Sequence, residues 1–257
     1  MSERLTRRDW RGTVLPLVLV ALWTAVTAFG WVNTQLIVPP SAVLTAAWHF
    51  VVTGHFFSGL AASLGRDLAG FVLGGIAGIS LGTLMGVSRW AERLIGPSFH
   101  TLKQISLFAW LPLISTWLGS GDGAKISLIA LSAFYPAALG AFEGIRGVAQ
   151  AWFEVARVHA FTRAQTLWRL VLPAAAPQIA TGLHLALVYA WLATVGGEFL
   201  LARLGAGIGD AVMRGRVAFD VALVVFGMLV IGLVGASCNW LASRLEARLL
   251  HWRGTLS

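Results

Sequence analysis

The sequence predicts an all-α polytopic membrane protein with about six transmembrane helices. Of its 257 residues, 57% are hydrophobic and only 12% are charged. Soluble domains are roughly 45–50% apolar and about 25% charged, so this composition argues against a soluble enzyme and against a disordered chain. At about 20 residues per span plus loops, a chain of this length holds about five to seven membrane helices.

The charges are distributed as in a membrane protein. The net charge is +8, and the arginines form short clusters between apolar runs. This pattern is typical of cytoplasmic loops and argues against a nucleic-acid-binding surface. The single cysteine, Cys238, lies inside an apolar run, which excludes a disulfide framework and argues against a cysteine metal site.

Six apolar runs are long enough to be predicted as spans. They cover 13–31, 68–88, 104–120, 125–142, 171–195 and 219–241. The first run follows a basic start, as in a signal peptide, but it is longer than a signal-peptide core, and we therefore predict a retained helix. Pro112 and Pro177 lie inside the third and fifth spans, where kinks are expected because proline removes a helical hydrogen bond.

Arginine positions orient these spans. Most arginines fall in segments that face the same side as the N-terminus when six spans cross the membrane, which places both termini in the cytoplasm. The predicted organisation is a tail at 1–12, the first helix at 13–31, an outer segment at 32–66, a core at 67–242 and a second tail at 243–257. In the outer segment, Ser41 is a predicted N-cap, and 42–52 is interpreted as a short amphipathic helix or, alternatively, as a plain loop.

A ridge of glycines follows the second span, with one glycine at every fourth position. These are Gly70, Gly74, Gly78, Gly82 and Gly86. Four residues turn a helix by about 400°, so the glycines share one face, and small residues at this spacing allow two backbones to approach closely in lipid. We favour packing within the chain over a seam between two copies.

The loop at 146–172 mixes aromatic residues with arginines and has helical propensity. Trp152, Val155, Ala156 and His159 recur at spacings of three and four residues, and Glu154 and Arg157 are placed to pair on a helix. Such a helix either lies on the membrane surface or docks in a groove on a cytoplasmic partner. Its periodicity does not decide between these two readings.

The residue types in this loop favour docking. Glu154, Ala156, the small residue Ala160 and the pair Leu172-Pro173 follow one another in a pattern that resembles the EAA signature of ABC-importer permeases. Two positions depart from that signature. Val155 replaces an alanine, and Ala160 replaces a glycine, keeping the small volume but losing the freedom of glycine to adopt positive φ.

The resemblance extends over most of the chain and is to the nitrate/sulfonate/taurine branch of these permeases. The matching stretches are Val38-Pro39-Pro40-Ser41, the glycine-rich second span, Trp110-Leu-Pro112-Leu, the run after Leu172-Pro173, Leu183 to Trp191, and Gly207-Ile-Gly209. One stretch departs, because Ile105-Ser-Leu-Phe108 stands where the branch usually has prolines.

The resemblance implies a type I importer in a bacterial inner membrane, with the 32–66 segment in the periplasm. It implies a homodimer of permeases, two ATPase subunits and a periplasmic or lipid-anchored solute-binding protein, all surrounded by membrane lipid. The loop 146–172 would be the coupling helix, with Arg157 and Phe161 among its docking residues. The implied solute is an aliphatic sulfonate, taurine or a nitrate-like anion, with a heterocyclic vitamin precursor as the alternative.

Nucleotide binding by this chain is not predicted. A phosphate-binding P-loop requires Gly-Lys-Ser/Thr, and the only lysines are Lys103 and Lys125. Residues 121–127 resemble such a loop superficially, but Ala124 precedes Lys125. ATP and Mg²⁺ are therefore expected on the partner ATPase, and neither a catalytic residue nor a metal site is predicted in this chain.

Three residues are candidates for the solute pathway. Trp110 and Tyr135 either face the pathway or pack between helices. Glu198 is a candidate because ionisable groups in membrane spans are usually functional. It either lines the pathway or pairs with Arg203.

Other polar residues have local interpretations. Lys103 and His100 are expected to extend to the inner headgroups, and His184 to form helix-packing hydrogen bonds. Glu143 and Arg146 are interpreted as a surface pair. Four further charged residues follow the fifth span. They form either the outer mouth of the solute pathway, where the binding protein docks, or a solvated loop, and they are Asp210, Arg214, Arg216 and Asp220.

Two other classes of function compete. An ion-driven secondary transporter usually shows an internal repeat and buried charges, and no convincing repeat occurs here. An intramembrane serine enzyme needs a histidine within reach of its serine. None of the serines has a Gly-x-Ser-x-Gly setting, and His184 is the only histidine in the middle of a span.

Overall fold

The computed structural model describes residues 11–33, 36–201 and 207–249, and the regular structure within these ranges is helical. The helices are α1 (Arg11–Ala28), α2 (Pro40–Val52), α3 (His55–Val87), α4 (Arg89–Leu102), α5 (Leu111–Leu118), α6 (Asp122–Arg146), α7 (Gln150–Val158), α8 (Arg163–Thr166), α9 (Leu172–Leu200), α10 (Ile208–Val217) and α11 (Val221–Leu249). A 3-10 turn, Leu107–Trp110, precedes α5, and a π-helical segment, Leu167–Val171, joins α8 to α9. Arg203, the arginines before residue 11 and the end of the predicted second tail lie outside the described residues.

The centre of the fold is formed by α3, α6 and α9, with α6 packed along both of the other helices. The buried cluster between them consists largely of alanines from α6 and α9, together with Ile129. Small side chains suit this position because helices in lipid gain stability from close backbone packing rather than from excluding water.

The glycine ridge of α3 lies against α6. A Cβ built at Gly82 would be 2.9 Å from both the carbonyl carbon of Ala138 and the Cβ of Ala141, and the other four ridge glycines meet α6 in the same way. The ridge is therefore used within the chain. A second close approach joins α6 to α9, where a Cβ on Gly140 would lie 2.6 Å from the Cα of Gly182.

Four helices are long and apolar enough to cross a membrane within the described residues. They are Phe56–Val87, Asp122–Arg146, Arg163–Leu200 and Val221–Arg248. They contain the predicted second, fourth, fifth and sixth spans, but α3 begins at His55 and so continues well before the predicted start at residue 68. The predicted first span corresponds to α1, whose 18 residues extend about 27 Å, slightly less than the thickness of the hydrocarbon core.

The predicted third span is not one continuous helix. The chain leaves α4 at Lys103, forms the 3-10 turn at Leu107–Trp110 and only then enters α5. Pro112 lies in the first turn of α5, where a missing N–H costs nothing, so it begins a helix rather than kinking one. Together the 3-10 turn and α5 extend only about 20 Å.

The outer segment contains a helix where the sequence favoured one. α2 covers Pro40–Val52, but its N-cap is Pro39 and not Ser41, which lies inside the helix. Proline at the first helical position explains this start, since its φ is already helical and its absent N–H needs no partner.

Candidate functional site

The first candidate site is the loop between α6 and α9, which contains α7 (Gln150–Val158). One face of α7 packs on the rest of the chain through Ala156, which is buried in a cluster with Ile145, Leu170 and Val171. The rest of the helix is exposed, and it carries an apolar strip beside the charged Glu154 and Arg157. The strip consists of Trp152, Val155 and Val158.

The end of α7 forms a Schellman motif. The Phe161 N–H donates to the Ala156 carbonyl oxygen at 2.9 Å, and the Ala160 N–H donates to the Arg157 carbonyl oxygen at 3.0 Å. Ala160 itself has a φ of 49°, which lies in the left-handed region. Glycine is favoured at this position of the motif because a Cβ is strained there, so the turn persists in this chain despite the alanine.

The chain re-enters the core through a reinforced helix start. Thr162 and Gln165 form a reciprocal capping box at the beginning of α8. The following π-helical segment ends with the Leu172 N–H bonded to the Leu167 carbonyl oxygen, just before Pro173. Proline lacks an N–H and its ring clashes with the carbonyl four residues earlier, which explains a local widening of the helix there.

Pro177, where the sequence predicts a kink, lies within α9.

The predicted docking residues occupy both faces of this loop. Glu154 and Arg157 are exposed, and they do not form the ion pair that their spacing allowed. Phe161 and Leu172 are half-buried against the Ala156 cluster, whereas Pro173 is exposed.

The predicted Glu143–Arg146 surface pair is wrong. Arg146 instead forms an ion pair with Glu92 of α4, and Glu143 accepts a hydrogen bond from Gln178 Nε2 at 3.4 Å. Helix spacing allowed the local pair, but each side chain faces a neighbouring helix.

The second candidate site is a buried polar cluster at the opposite end of α6 and α9. Glu198 is 1% exposed, and its Oε1 accepts hydrogen bonds from Arg66 Nη2 at 2.5 Å and from Ser63 Oγ at 2.7 Å. Its Oε2 accepts from the Gly209 N–H at 2.8 Å. Of the two roles considered for Glu198, the geometry is that of a buried ion pair, but with Arg66 of α3.

The cluster continues on both sides of this pair. Arg66 Nη1 also donates to Asp122 Oδ1 at 2.8 Å, and the Lys125 Nζ lies 3.5 Å from Asp210 Oδ2 with both side chains buried. Burial raises the pKa of the Asp210 carboxyl above its ordinary value, while the Lys125 ammonium opposes that shift. The alternative of a solvated loop is therefore wrong for Asp210.

The Gly207-Ile-Gly209 stretch owes its residue types to this cluster. A Cβ at Gly207 would lie 2.6 Å from Glu198 Cδ, and one at Gly209 would lie 2.7 Å from Glu198 Cβ. The intervening Ile208 N–H donates to Ser63 Oγ at 3.0 Å. Sequence reasoning missed Ser63 and Arg66 because it placed them in an outer loop. A helical pattern that continues from residue 55 into the second span could have placed both residues in α3.

The third candidate site is a cleft of about 350 Å³ beside the break between α4 and α5. Trp110 and Tyr135 both line it, so the structure brings two of the three predicted pathway residues together. Glu198 does not line it. Lys103 also lines the cleft, in addition to the headgroup role expected from the sequence.

His184 joins α9 to α11. Its Nε2 lies 2.7 Å from Asn239 Oδ1, and its Nδ1 lies 3.2 Å from Glu246 Oε2. This is the hydrogen-bonded packing role that the sequence predicted.

Comparison with known proteins identifies this architecture. The family of binding-protein-dependent transport system inner membrane components matches residues 70–251. The chain belongs to this family. It is thus a permease component of an ABC importer located in the inner membrane, as its loop signature predicted.

Two relatives confirm the branch of this permease. It is 34% identical to the putative aliphatic sulfonates transport permease protein SsuC of Bacillus subtilis, over 97% of this chain and 90% of that protein. It is 31% identical to the taurine transport system permease protein TauC of Escherichia coli, over 92% of this chain and 87% of that protein. The nitrate/sulfonate/taurine branch is therefore confirmed.

A solved structure confirms the fold. The inward-facing MetNI methionine ABC transporter superposes with a TM-score of 0.66 at 15% identity, covering 76% of this chain and 95% of that one. At this identity the likeness concerns the fold alone.

Proposed function

We propose that this permease forms one half of a homodimeric solute pathway and docks a cytoplasmic ATPase subunit through α7. The exposed apolar face of Trp152, Val155 and Val158 carries the proposal. It is a contiguous apolar strip at one end of the core, on a helix whose other face is anchored. An exposed apolar strip of this kind is typical of a protein–protein interface.

The anchoring of α7 fits a role in coupling. Ala156 and Phe153 pack the helix against α6 and α9. Only residues 147–149 separate it from α6, and the Schellman motif and the capping box join it to α8 on the way to α9. A displacement of α7 by the ATPase would therefore be transmitted to the core helices as a rigid-body movement. ATP and Mg²⁺ would be held by the ATPase, and ATP hydrolysis would take place there.

The orientation follows from the same assignment. The α7 end faces the cytoplasm, both termini lie on that side, and the end that contains Glu198 faces the periplasm. A solute-binding protein would deliver solute at the latter end, near Arg214 and Arg216 of α10.

The solute we propose is a small anion such as an aliphatic sulfonate or taurine, with a nitrate-like anion in the same class. The similarity to permeases named for sulfonates and taurine supports this class. The binding protein would impose most of the selectivity between individual anions.

The test is co-purification of the ATPase with the permease from mild detergent. Val158 is 85% exposed, so Val158→Asp should leave the fold intact while placing a charge on the docking face. We expect this variant to lose most of the co-purified ATPase and its activity. Phe219→Asp is the matched control, because Phe219 is 91% exposed and lies near the opposite end, beside Phe199.

A second variant addresses the turn after α7. Ala160→Trp should uncouple ATP hydrolysis from transport, since a large side chain at the left-handed position distorts the docking helix. Undiminished ATPase recovery with Val158→Asp, together with normal transport by a well-expressed Ala160→Trp, would overturn the docking role.

A further inference from the structure

The cleft beside the break between α4 and α5 has an unusual set of polar groups. Its polar lining consists of Lys103, Gln104, Ser106, Ser132, Tyr135 and Tyr189, and Trp110 adds an indole N–H. The lining includes no aspartate or glutamate. A cleft near the middle of the core is therefore rich in hydrogen-bond donors and carries one positive charge.

Two of these donors have no partner in the described part of the chain. The Trp110 Nε1 is buried without a hydrogen-bond partner. Lys103 is half-buried and has no carboxylate within ion-pair distance in the residues that the structure describes. Burying a donor without a partner costs free energy comparable to a lost hydrogen bond, so a ligand that satisfies these groups would be stabilised.

The break in the helix creates this arrangement. Leaving α4 at Lys103 and starting the 3-10 turn at Leu107 places a short polar segment beside α6 and α9. Irregular backbone inside a membrane protein is tolerated where it lines a cavity. The volume of about 350 Å³ lies within the range of small-molecule sites.

We propose that this cleft binds the oxyanion head of the transported solute, a sulfonate group. This inference rests on the proposed function and names a binding site for its substrate class. The three oxygens of a sulfonate only accept hydrogen bonds, and they carry one negative charge that no ordinary pH removes. Lys103 supplies the opposite charge, Trp110 supplies an N–H donor, and the phenols of Tyr135 and Tyr189 supply O–H donors.

The phosphate of a lipid headgroup shares this oxyanion chemistry. Lys103 was expected to reach headgroups on sequence grounds, so the test must separate the two sources. We favour the solute, because the cleft is lined by residues from the middle of α6, between Leu131 and Leu139, and by Tyr189 of α9, away from the helix ends that lie near the headgroups.

The experiment is equilibrium binding of radiolabelled butanesulfonate to the full-length permease in nanodiscs, without ATPase. In discs of pure phosphatidylcholine we expect saturable binding at millimolar concentration or below. Lys103→Gln should weaken it by about tenfold or more, the effect of one charge-assisted hydrogen bond, while Lys103→Arg should stay within about threefold. Trp110→Phe, which removes the indole N–H together with part of the ring, should weaken binding by about threefold or more.

Three controls make the result decisive. Arg93→Gln removes a positive charge from the exposed face of α4, outside the cleft, and should leave binding unchanged. Butyl methyl sulfone, which has no charge, should not compete. Each variant must also keep the thermal unfolding profile of the unmodified permease.

Several outcomes would overturn the proposal. They are no saturable binding to the unmodified permease, equal binding by Lys103→Gln, or equal competition by the neutral sulfone. Loss of butanesulfonate binding in discs that contain phosphatidylglycerol would assign the cleft to a lipid phosphate instead. Because ATPase recovery is measured separately, failure of this site and failure of the docking role are distinguishable.

Discussion

Arg66 of α3 and Glu198 of α9 form a buried ion pair in which Nη2 and Oε1 are 2.5 Å apart. The two side chains are only 7% and 1% exposed, and they are separated by 132 residues in the sequence. Removing two charges from water costs free energy. The hydrogen bonds that Ser63 Oγ and the Gly209 N–H donate to the Glu198 carboxylate help to offset this cost. The ion pair therefore ties α3 and α9 to the start of α10 at one end of the core.

Glu198→Gln should destabilise the permease by about 3 kcal/mol, because it leaves the buried Arg66 guanidinium without its buried counter-charge. For a chain of this length that corresponds to a fall of roughly 6–12 °C in the unfolding temperature in detergent. Asp122→Asn is the control, since Asp122 also pairs with Arg66 but its side chain is 68% exposed. An exposed partner contributes little, about 0–1 kcal/mol, so equal losses in the two variants would contradict this account.

Thr194→Val should cost about 1–3 kcal/mol in the same unfolding measurement. Thr194 Oγ1 donates to Asp67 Oδ1 at 2.8 Å, and both residues are buried, so valine leaves the carboxyl without this donor. Thr194→Ser keeps the hydroxyl and should lose only the burial of a methyl group, about 0.8 kcal/mol. A valine variant as stable as the serine variant would show that this hydrogen bond contributes nothing.

Gly82→Ala should destabilise the permease by about 1–3 kcal/mol through overpacking, since its Cβ would meet backbone and side-chain atoms of α6 at 2.9 Å. Gly65→Ala is a matched control in the same helix, because nothing lies within 4 Å of its Cβ. That change should be neutral or stabilise the helix by up to about 1 kcal/mol. Thermal unfolding of both variants tests the ridge, and a tolerated Gly82→Ala would count against close packing there.

Ala160→Gly should stabilise the permease by about 0.5–1 kcal/mol. Its φ of 49° is strained for alanine and unstrained for glycine, and this gain exceeds the added freedom of the unfolded chain. Ala164→Gly, in the helical backbone of α8, should instead lose about 0.5–1 kcal/mol. If both glycine variants shifted the unfolding temperature in the same direction, the left-handed turn after α7 would not be the cause.

Local sequence patterns were sufficient for the membrane class, the long helices and the EAA-type loop. Hydrophobic runs indicate spans because lipid offers the backbone no hydrogen bonds, so a run that faces lipid forms a helix, and irregular backbone occurs only where it lines a cavity, as in the third run. The spacing from Glu154 to Pro173 indicated the loop, because that relation lies within one short stretch of chain. The glycine ridge was readable for the same reason, as its period is that of a helix.

Only the tertiary structure decided which helices the ridge and the charges contact. Arg66, Lys125 and Glu198 come from three helices, and no local pattern relates residues so far apart in the sequence. Hydropathy likewise predicts one span over 104–120, kinked at Pro112, because it averages over a window and does not detect the change of backbone geometry after Lys103. Composition and periodicity are properties of neighbouring residues, whereas the ion pairs and the cleft depend on how α3, α6 and α9 pack.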